Sequence, residues 1–265
     1  MNGAPLPPEN TNSPFTAGPA ALAAADQRRQ TVLARMAAAC AQAGRPAADV
    51  HLLAVSKTFD APHCLAMAAA GQRSFGENYL QEALAKQEWM RAHWHEAPLQ
   101  WHFIGPIQSN KTRPIAEHFD WVHTVDRLRI GQRLSDQRPA TLAPLQICLQ
   151  VNIDEEDTKS GCTPDEAPEL AAQLAALPRL VLRGLMAIPA ASEDPAQQRA
   201  AFARLRVLRD QCQTAIEDSG QADAAPLDTL SMGMTGDLEA AVAEGATIVR
   251  VGTALFGVRP KPAAG

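Results

Sequence analysis

The segment "LLAVSKTF", Leu52 to Phe59, begins as an apolar run typical of a buried β-strand and then reaches a lysine. Alternate residues of a strand share a face, so Leu53, Val55 and Lys57 point to the same side. An amine at the end of such a strand either tops the interior of a barrel or lies on the rim with its ammonium group in water. Which of these positions applies depends on how the neighbouring segments fold.

Short apolar runs of the same kind recur along the chain and alternate with amphipathic stretches. The eight candidate strands lie in "HLLAVS", "RSFGEN", "QWHFIG", "DWVHTV", "LQICLQVN", "LVLRGLMA", "LDTLSM" and "TIVRVG". Segments between them, such as "APHCLAMAAAG" and "DEAPELAAQLAAL", predict helices. Alternation of strand and helix is typical of parallel strands joined by crossover helices. Eight such units in 265 residues predict a single-domain (β/α)8 TIM barrel, with an open doubly wound sheet as the alternative.

The two ends of the chain differ from this repeating pattern. The stretch from Ala20 to Gly44 is rich in alanine and brings its larger apolar residues onto one face, which predicts an extra helix before the first strand. The opening "MNGAPLPPENTNSPFTAGP" has no hydrophobic period and is rich in Pro, Asn and Gly. We therefore predict a disordered tail over residues 1–19, the barrel over residues 20–260 and a short tail over residues 261–265.

Composition narrows the classes of function. The formal net charge of −5 gives no excess of cations with which to bind nucleic acid or a membrane surface. The five cysteines are scattered and contain no C-x-x-C pair, so neither a disulfide framework nor a metal site is predicted. No segment resembles a secretion signal or a membrane span. These features favour a cytoplasmic protein that binds a small molecule.

The position of Lys57 has a chemical consequence if the barrel forms. Catalytic and binding residues of such barrels lie at the C-terminal ends of the strands. A lysine that is partly removed from water there loses some of its preference for the charged form, so its amine becomes able to form an imine with an aldehyde.

The last part of the barrel contains a candidate anion site in "LSMGMTGDLEAAVAEGATIVRVGTALFG". Small residues that allow backbone N–H groups to approach an anion are Ser231, Gly233, Thr235 and Gly236, followed by a predicted helix start. On the next strand Ile248, Arg250 and Gly252 share a face, so a guanidinium lies just before Gly252 and Thr253. The loops after strands 7 and 8 are the usual phosphate site of these barrels.

Seven segments of the chain resemble, in order and spacing, the pyridoxal phosphate homeostasis proteins, which are single-domain relatives of the alanine racemase barrel. These segments are "AVSKT", "FGENYLQE", "WHFIGPIQSNK", "VNIDEEDTKSG", "GLMAIPA", "LSMGMTGDLEAAVAEG" and "VRVGTALFG". The resemblance extends from about Ala20 to Arg259. It implies a fold-type III (β/α)8 barrel that holds pyridoxal 5'-phosphate (PLP) as a Schiff base on Lys57.

The resemblance also implies roles for other residues at matching positions. Asn78 of "FGEN" would lie near the cofactor ring. The phosphate or the ring edge would be held by Ser231, Gly233, Thr235, Arg250, Gly252 and Thr253. Thr235 and Gly236 depart from the family pattern, which commonly has serine and often an acidic residue there.

Two functions from different classes remain open. A PLP-dependent amino-acid racemase needs a base on each face of the substrate, and the second base is normally a tyrosine from an additional domain. The only tyrosine here, Tyr79, is expected at a helix start. The favoured alternative, which the resemblance also implies, is a monomeric carrier without catalytic residues that buffers PLP and delivers it to apo PLP-enzymes. A PLP-independent phosphate-binding barrel is a third reading.

The histidine of "WHFIG", His102, is a further polar candidate. It lies on the third predicted strand and either approaches the site or is a buried histidine with satisfied hydrogen bonds. The sequence leaves both readings open.

Overall fold

The computed structural model describes residues 18–156, 158–221 and 224–257, and eight parallel strands in this part of the chain close into a barrel. The strands are β1 (His51–Val55), β2 (Ser74–Glu77), β3 (Gln100–Phe103), β4 (Trp121–Val125), β5 (Leu145–Gln150), β6 (Leu180–Met186), β7 (Thr229–Ser231) and β8 (Ile248–Val251). Each strand pairs with its neighbours in chain order, and β8 pairs with β1. The predicted TIM barrel is confirmed, and closure excludes the open sheet.

Helices surround the barrel. They are α1 (Pro19–Gln42), α2 (Ala61–Ala69), α3 (Leu80–His93), α4 (Thr112–His118), α5 (Leu128–Gln137), α6 (Ala167–Ala175), α7 (Pro195–Asp218), α8 (Leu238–Ala243) and α9 (Thr253–Phe256). Helices α2 to α8 connect consecutive strands, whereas α1 precedes the barrel, as predicted. Most of the predicted tail over residues 1–19 and all of the tail over 261–265 lie outside the described residues; Pro19 is already the first residue of α1.

Successive side chains of β1 point alternately into two apolar layers, as the period-two pattern predicts. Leu52 and Ala54 belong to the hydrophobic cluster between the strands and the helices. Leu53 points into the barrel, where an added Cβ at Gly76 would lie 3.2 Å from its Cδ2 atom and 3.1 Å from Ile104 Cδ1. Burial of each such leucine stabilises the fold by about 1.5–3 kcal/mol. The same alternation carries residue 57 towards the mouth of the barrel.

Helix α1 packs against the segments that follow β7 and β8. It packs against α2, α8 and α9. Arg35 Nη1 donates to the carbonyl oxygen of Thr235 at 2.7 Å, and Arg28 Nη1 donates to the carbonyl oxygen of Phe256 at 3.2 Å. Because these carbonyls belong to the segments after β7 and β8, α1 fixes the two loops in which the sequence predicts an anion site.

A chain of hydrogen bonds crosses the barrel interior. Arg250 Nη1 donates to Ser231 Oγ at 2.8 Å, Ser231 Oγ lies 2.7 Å from His123 Nδ1, and His123 Nε2 lies 2.9 Å from His102 Nδ1. Arg250 can only donate, so Ser231 Oγ accepts from it, and an order in which Ser231 donates to His123 and His123 Nε2 donates to His102 gives each bond one proton. His102 is therefore a buried member of this series of hydrogen bonds and does not line the anion site that the sequence predicts.

Both histidines in this series of hydrogen bonds, His102 and His123, are neutral at physiological pH. Burial lowers the pKa of His102 to about 3. Burial, with further contributions from His102 and Arg250, lowers the pKa of His123 well below its usual value. Unlike these two, His93 and His95 are exposed.

The cysteines contribute buried thiols. All five are free and buried, and burial raises the pKa of Cys64, Cys148, Cys162 and Cys212 to about 12. Such thiols stay protonated and unreactive at neutral pH.

No group of three or more His, Cys, Asp or Glu residues in the described segments could hold a metal ion. No helix within those segments combines the length and apolar character needed to cross a bilayer.

The neutral histidine pair predicts a specific loss of stability in acid. Below about pH 6.5 the unfolded chain takes up a proton at each histidine, whereas the native chain does not until the pH is much lower, so the free energy of unfolding falls as the pH falls. Each histidine contributes a slope of about 1.4 kcal/mol per pH unit well below pH 6.5. His102→Gln, which keeps an acceptor for His123, should reduce the slope by about this amount in urea unfolding between about pH 6 and pH 4. His95→Gln serves as the exposed control, and equal slopes in wild type and His102→Gln would contradict the assignment.

Candidate functional site at the C-terminal end of the barrel

A cavity of about 290 Å³ opens at the C-terminal end of the strands. Its wall is formed by Val55, Lys57, Phe59, Asn78, Ile104, Ile188, Met234, Thr235, Gly236, Arg250, Gly252 and Thr253. These residues come from the ends of β1, β2 and β3, from β8 and from the loops after β6, β7 and β8. The volume is near the lower end of the range of about 300–1,000 Å³ that is usual for small-molecule sites, so the cavity suits a compact ligand.

Lys57 lies in this wall, two residues beyond the end of β1, and its side chain is half-buried. The Ser56 amide donates to the Gly76 carbonyl at 3.0 Å, which continues the ladder between β1 and β2 past the assigned strand. Lys57 therefore keeps the inward face of Leu53 and Val55. The structure selects the barrel mouth for this lysine, one of the two positions that the sequence left open.

Asn78 follows β2 and presents an unusual polar group to the site. Its Oδ1 atom is buried and has no hydrogen-bond partner among the described residues. Gly105, after β3, packs directly on it: a Cβ there would lie 2.1 Å from the Asn78 carbonyl oxygen, so only glycine fits. A buried amide oxygen without a partner costs free energy unless a ligand supplies a donor. Asn78 is therefore suited to a polar ligand atom.

Arg250 brings a buried cation to the cavity. Nη1 donates to Ser231 Oγ, and Nη2 donates to the Ala187 carbonyl oxygen at 2.9 Å. Burial lowers the pKa of Arg250 to about 10, so the guanidinium remains charged at neutral pH. Two of its N–H groups fix its orientation, and the remaining donors can serve a ligand.

The loops after β7 and β8 form the small-residue side of the cavity. Thr235, Gly236, Gly252 and Thr253 line it. At Gly236 an added Cβ would meet no atom within 4 Å, so the backbone is open to the cavity there. Backbone N–H groups and threonine hydroxyls in such loops can donate to an anion.

Two of the residues predicted from the sequence lie behind the wall. Ser231 is fully buried and bonded to Arg250 and His123. Gly233 has φ +90°, and an added Cβ would lie 2.4 Å from the Cβ of Ala241; its carbonyl accepts the Arg250 amide at 2.9 Å. Both residues therefore support Arg250 and the turn, whereas Lys57, Asn78, Thr235, Arg250, Gly252 and Thr253 lie together in the cavity.

Sequence reasoning missed the apolar part of the wall. Val55 and Ile104 could have been found, because each lies on the inward face at the end of a strand. Ile188 and Met234 come from loops, where no periodicity indicates which way a side chain points. Phe59 is held by stacking on Phe256 with ring centroids 5.1 Å apart, a contact between two distant parts of the sequence.

The ionisable groups in the wall are few. Among the described residues that line the cavity, Lys57 and Arg250 are the ionisable ones, and the wall contains no carboxylate, histidine, cysteine or tyrosine. Tyr79 is 56% exposed and precedes α3. The site can therefore offer one amine for reaction and one fixed positive charge, but not a pair of opposed bases.

Comparison with known proteins agrees with this geometry. Residues 31–260 match the family described as "Alanine racemase, N-terminal domain". The chain is 60% identical over 228 residues to the pyridoxal phosphate homeostasis protein of Pseudomonas aeruginosa, covering 86% of this chain and 93% of that protein. It is 50% identical over 229 residues to the protein of the same name from Escherichia coli, covering 85% and 92%. The structure of PipY from Synechococcus elongatus with PLP bound is 36% identical, has a TM-score of 0.73 and covers 88% of this chain and 100% of that chain.

The family match spans most of the chain, the relatives are matched over nearly their whole length, and the seven sequence motifs lie in one barrel. The chain therefore belongs to the pyridoxal phosphate homeostasis protein family, within the wider group of alanine racemase N-terminal domains.

Proposed function

We propose that this protein binds PLP covalently at Lys57, buffers its concentration and delivers it to apo PLP-enzymes. The observation that carries the proposal is one small cavity that combines an amine at the end of β1, a buried guanidinium and two small-residue loops. The names of the relatives and the PLP bound to PipY support it. When bound, PLP supplies an aldehyde that condenses with a primary amine and releases one water molecule.

Lys57 is the residue proposed to bond to the aldehyde. It is the only primary amine among the described lining residues. Its half-buried side chain lies in the cavity wall, where an amine can meet an aldehyde held in the same space. The apolar side chains of Val55, Ile104 and Ile188 exclude part of the surrounding water from the same space.

The polar groups of the site are proposed to orient the rest of the cofactor. The Asn78 Oδ1 atom, which has no partner among the described residues, would accept a hydrogen bond from a polar substituent of the ring. Thr235, Gly236, Gly252 and Thr253 would hold the phosphate group through backbone N–H groups and hydroxyls. Arg250 would contact the ring edge or the phosphate, as the sequence comparison implies.

The same set of lining residues favours a carrier over a racemase. Racemisation needs one base to remove the α-proton and a second to return a proton on the other face. Lys57 can act as one base, but the described residues of the wall offer no second. If Arg250 meets the ring nitrogen, its fixed positive charge also disfavours ring protonation and weakens PLP as an electron sink.

The remaining parts of the proposal concern the cellular compartment of the protein and the number of chains needed to hold PLP. Five buried free thiols fit a reducing compartment, and we place the protein in the cytoplasm. We propose that a single chain holds PLP, because the whole cavity wall comes from one barrel.

The first prediction from the proposed function concerns the attachment site. The purified protein should carry one PLP per chain with an absorption band at about 420 nm, as expected for an imine of a lysine. After borohydride reduction and proteolysis, mass spectrometry should locate the adduct on Lys57. Recovery of the adduct only on Lys86, Lys111 or Lys159 would refute the assignment.

A second prediction concerns Arg250. Arg250→Ala should weaken PLP retention by about 1–3 kcal/mol, the scale of a lost charge-assisted hydrogen bond. Equilibrium dialysis would measure retention, and thermal unfolding of the PLP-free variant would report whether the barrel survives. Arg113→Ala, at an exposed position, is the control. Unchanged retention in a folded Arg250→Ala protein would show that loop groups hold the cofactor without the guanidinium.

The third prediction separates carrier from enzyme. Amino acids added to the PLP-loaded protein should not exchange their α-protons with deuterated solvent at an enzymatic rate, because the described residues of the wall supply one base and each positioned base is worth roughly 10²–10⁴-fold. The loaded protein should instead restore the activity of an apo PLP-enzyme, and Lys57→Ala should transfer less. Racemisation of an amino acid at about 1 s⁻¹ or faster, as in ordinary enzymes, would favour the racemase.

A further inference from the structure

A buried ionic cluster lies on the helix side of β1, directly behind the segment that carries Lys57. Lys86 of α3 has a side chain only 4% exposed. Its Nζ atom donates to the Ser56 carbonyl oxygen at 2.6 Å, to Glu77 Oε1 at 2.7 Å and to Glu82 Oε1 at 2.6 Å. An ammonium group has three protons, so these three acceptors use all of them. None of the three charged residues lines the cavity, and the proposed binding of PLP uses none of them.

The cluster holds the backbone on both sides of Lys57. Before it, the Ser56 carbonyl accepts from Lys86, and the Ser56 hydroxyl donates to Glu77 Oε1 at 2.6 Å. After it, the Thr58 amide donates to Glu82 Oε1 at 2.6 Å. The peptide groups that flank residue 57 are therefore attached to one set of charges carried by β2 and α3.

The backbone after Lys57 needs such support. Thr58 has φ +69°, in the left-handed region that β-branched residues rarely adopt. The Phe59 amide closes the turn on the Ser56 carbonyl at 3.1 Å. A strained conformation of this kind persists only where surrounding bonds hold it, and such strain is concentrated at functional sites. Here the bond from Thr58 to Glu82 supplies that support.

The charges of the cluster depend on one another. Burial raises the pKa of the Glu77 carboxyl, while Lys86 and the Ser56 hydroxyl act in the opposite direction. Burial acts to lower the pKa of Lys86, but Glu77 and its other neighbours outweigh this effect, so the ammonium form is favoured. Removing one partner from a buried ion cluster leaves an uncompensated charge. The cluster therefore behaves as a unit that holds one arrangement.

We propose that Glu77, Glu82 and Lys86 are positioning residues for Lys57: by fixing the Ser56 carbonyl and the Thr58 amide, they direct its amine into the cavity. This inference rests on the proposed covalent role of Lys57. In the step that they assist, the Lys57 nitrogen bonds to the aldehyde carbon and one water molecule leaves, so no oxidant or reductant is needed. A reacting atom displaced by about 1 Å can react roughly 10²-fold more slowly, so loosening this backbone should slow bond formation more than it weakens ligand binding.

The test compares covalent and noncovalent binding at the same site. Glu82 is suited to substitution because it is 32% exposed and contacts the Thr58 amide directly. Glu82→Ala removes the acceptor, Glu82→Gln retains one, and Glu88→Ala changes an exposed carboxylate of the same helix. The first-order rate of the absorbance change at saturating PLP reports bond formation. Titration with 4'-deoxypyridoxine 5'-phosphate, which lacks the aldehyde, reports noncovalent affinity.

Glu82→Ala should form the bond about tenfold or more slowly while its affinity for the deoxy analogue changes by less than about twofold. Glu82→Gln should recover most of the rate, and Glu88→Ala should match wild type. A wild-type rate in folded Glu82→Ala would overturn the proposal. A parallel loss of rate and analogue affinity would also overturn it, because it would show general damage to the site.

A second measurement needs no PLP and separates failure of this inference from failure of the proposed function. In the PLP-free protein, hydrogen–deuterium exchange of a peptide containing residues 56–59 should be faster in Glu82→Ala than in Glu82→Gln or Glu88→Ala. Lys86→Met should show the same acceleration if it folds. If wild type fails to bond to PLP, the proposed function is wrong whatever the exchange shows; unchanged exchange in Glu82→Ala would refute the positioning role.

Discussion

Pairing of the last strand with the first is the constraint on which the site depends. Leu53 of β1 lies opposite Arg250 of β8, and Ala54 lies opposite Val251. Without this ladder, Lys57 and Arg250 would belong to opposite ends of an open sheet. With it, an amine and a guanidinium from the two ends of the chain share one small cavity. Helix α1 reinforces the same region through Arg35 and Arg28, which bind carbonyls of the adjoining loops.

Closure of the barrel also explains why its interior tolerates polar groups. A buried polar side chain is costly unless its hydrogen bonds are made. Arg250, Ser231 and His123 meet this requirement by bonding in series, and the series ends at His102, whose Nδ1 atom is bonded while its Nε2 atom has no partner among the described residues. The two neutral histidines add no positive charge near the guanidinium, so its charge remains available at the mouth of the barrel. The interior thus fixes the orientation of the cation at the site.

Lys57 lies between two environments of different character. On the cavity side are apolar side chains and the loops suited to a phosphate. On the other side, the Ser56 carbonyl is bonded to Lys86, the Ser56 hydroxyl to Glu77 and the Thr58 amide to Glu82. One environment receives the ligand and the other restrains the backbone. For the proposed carrier, this division would place the binding of the ligand and the restraint on the reacting amine in separate parts of the structure.

The sequence by itself determined the eight strands, the helix before them, the residues that share a face with Lys57 on β1 and the small-residue segment after the seventh strand, because periodicity and turn composition are local properties. It also indicated Arg250, since residues two apart on a strand share a face. Only the tertiary structure decided that Ser231 and Gly233 support the wall from behind, that His102 is joined to His123, and that Lys86 is buried beside Ser56. These contacts join residues far apart in the chain, and their geometry depends on barrel closure and strand register, which no local pattern contains.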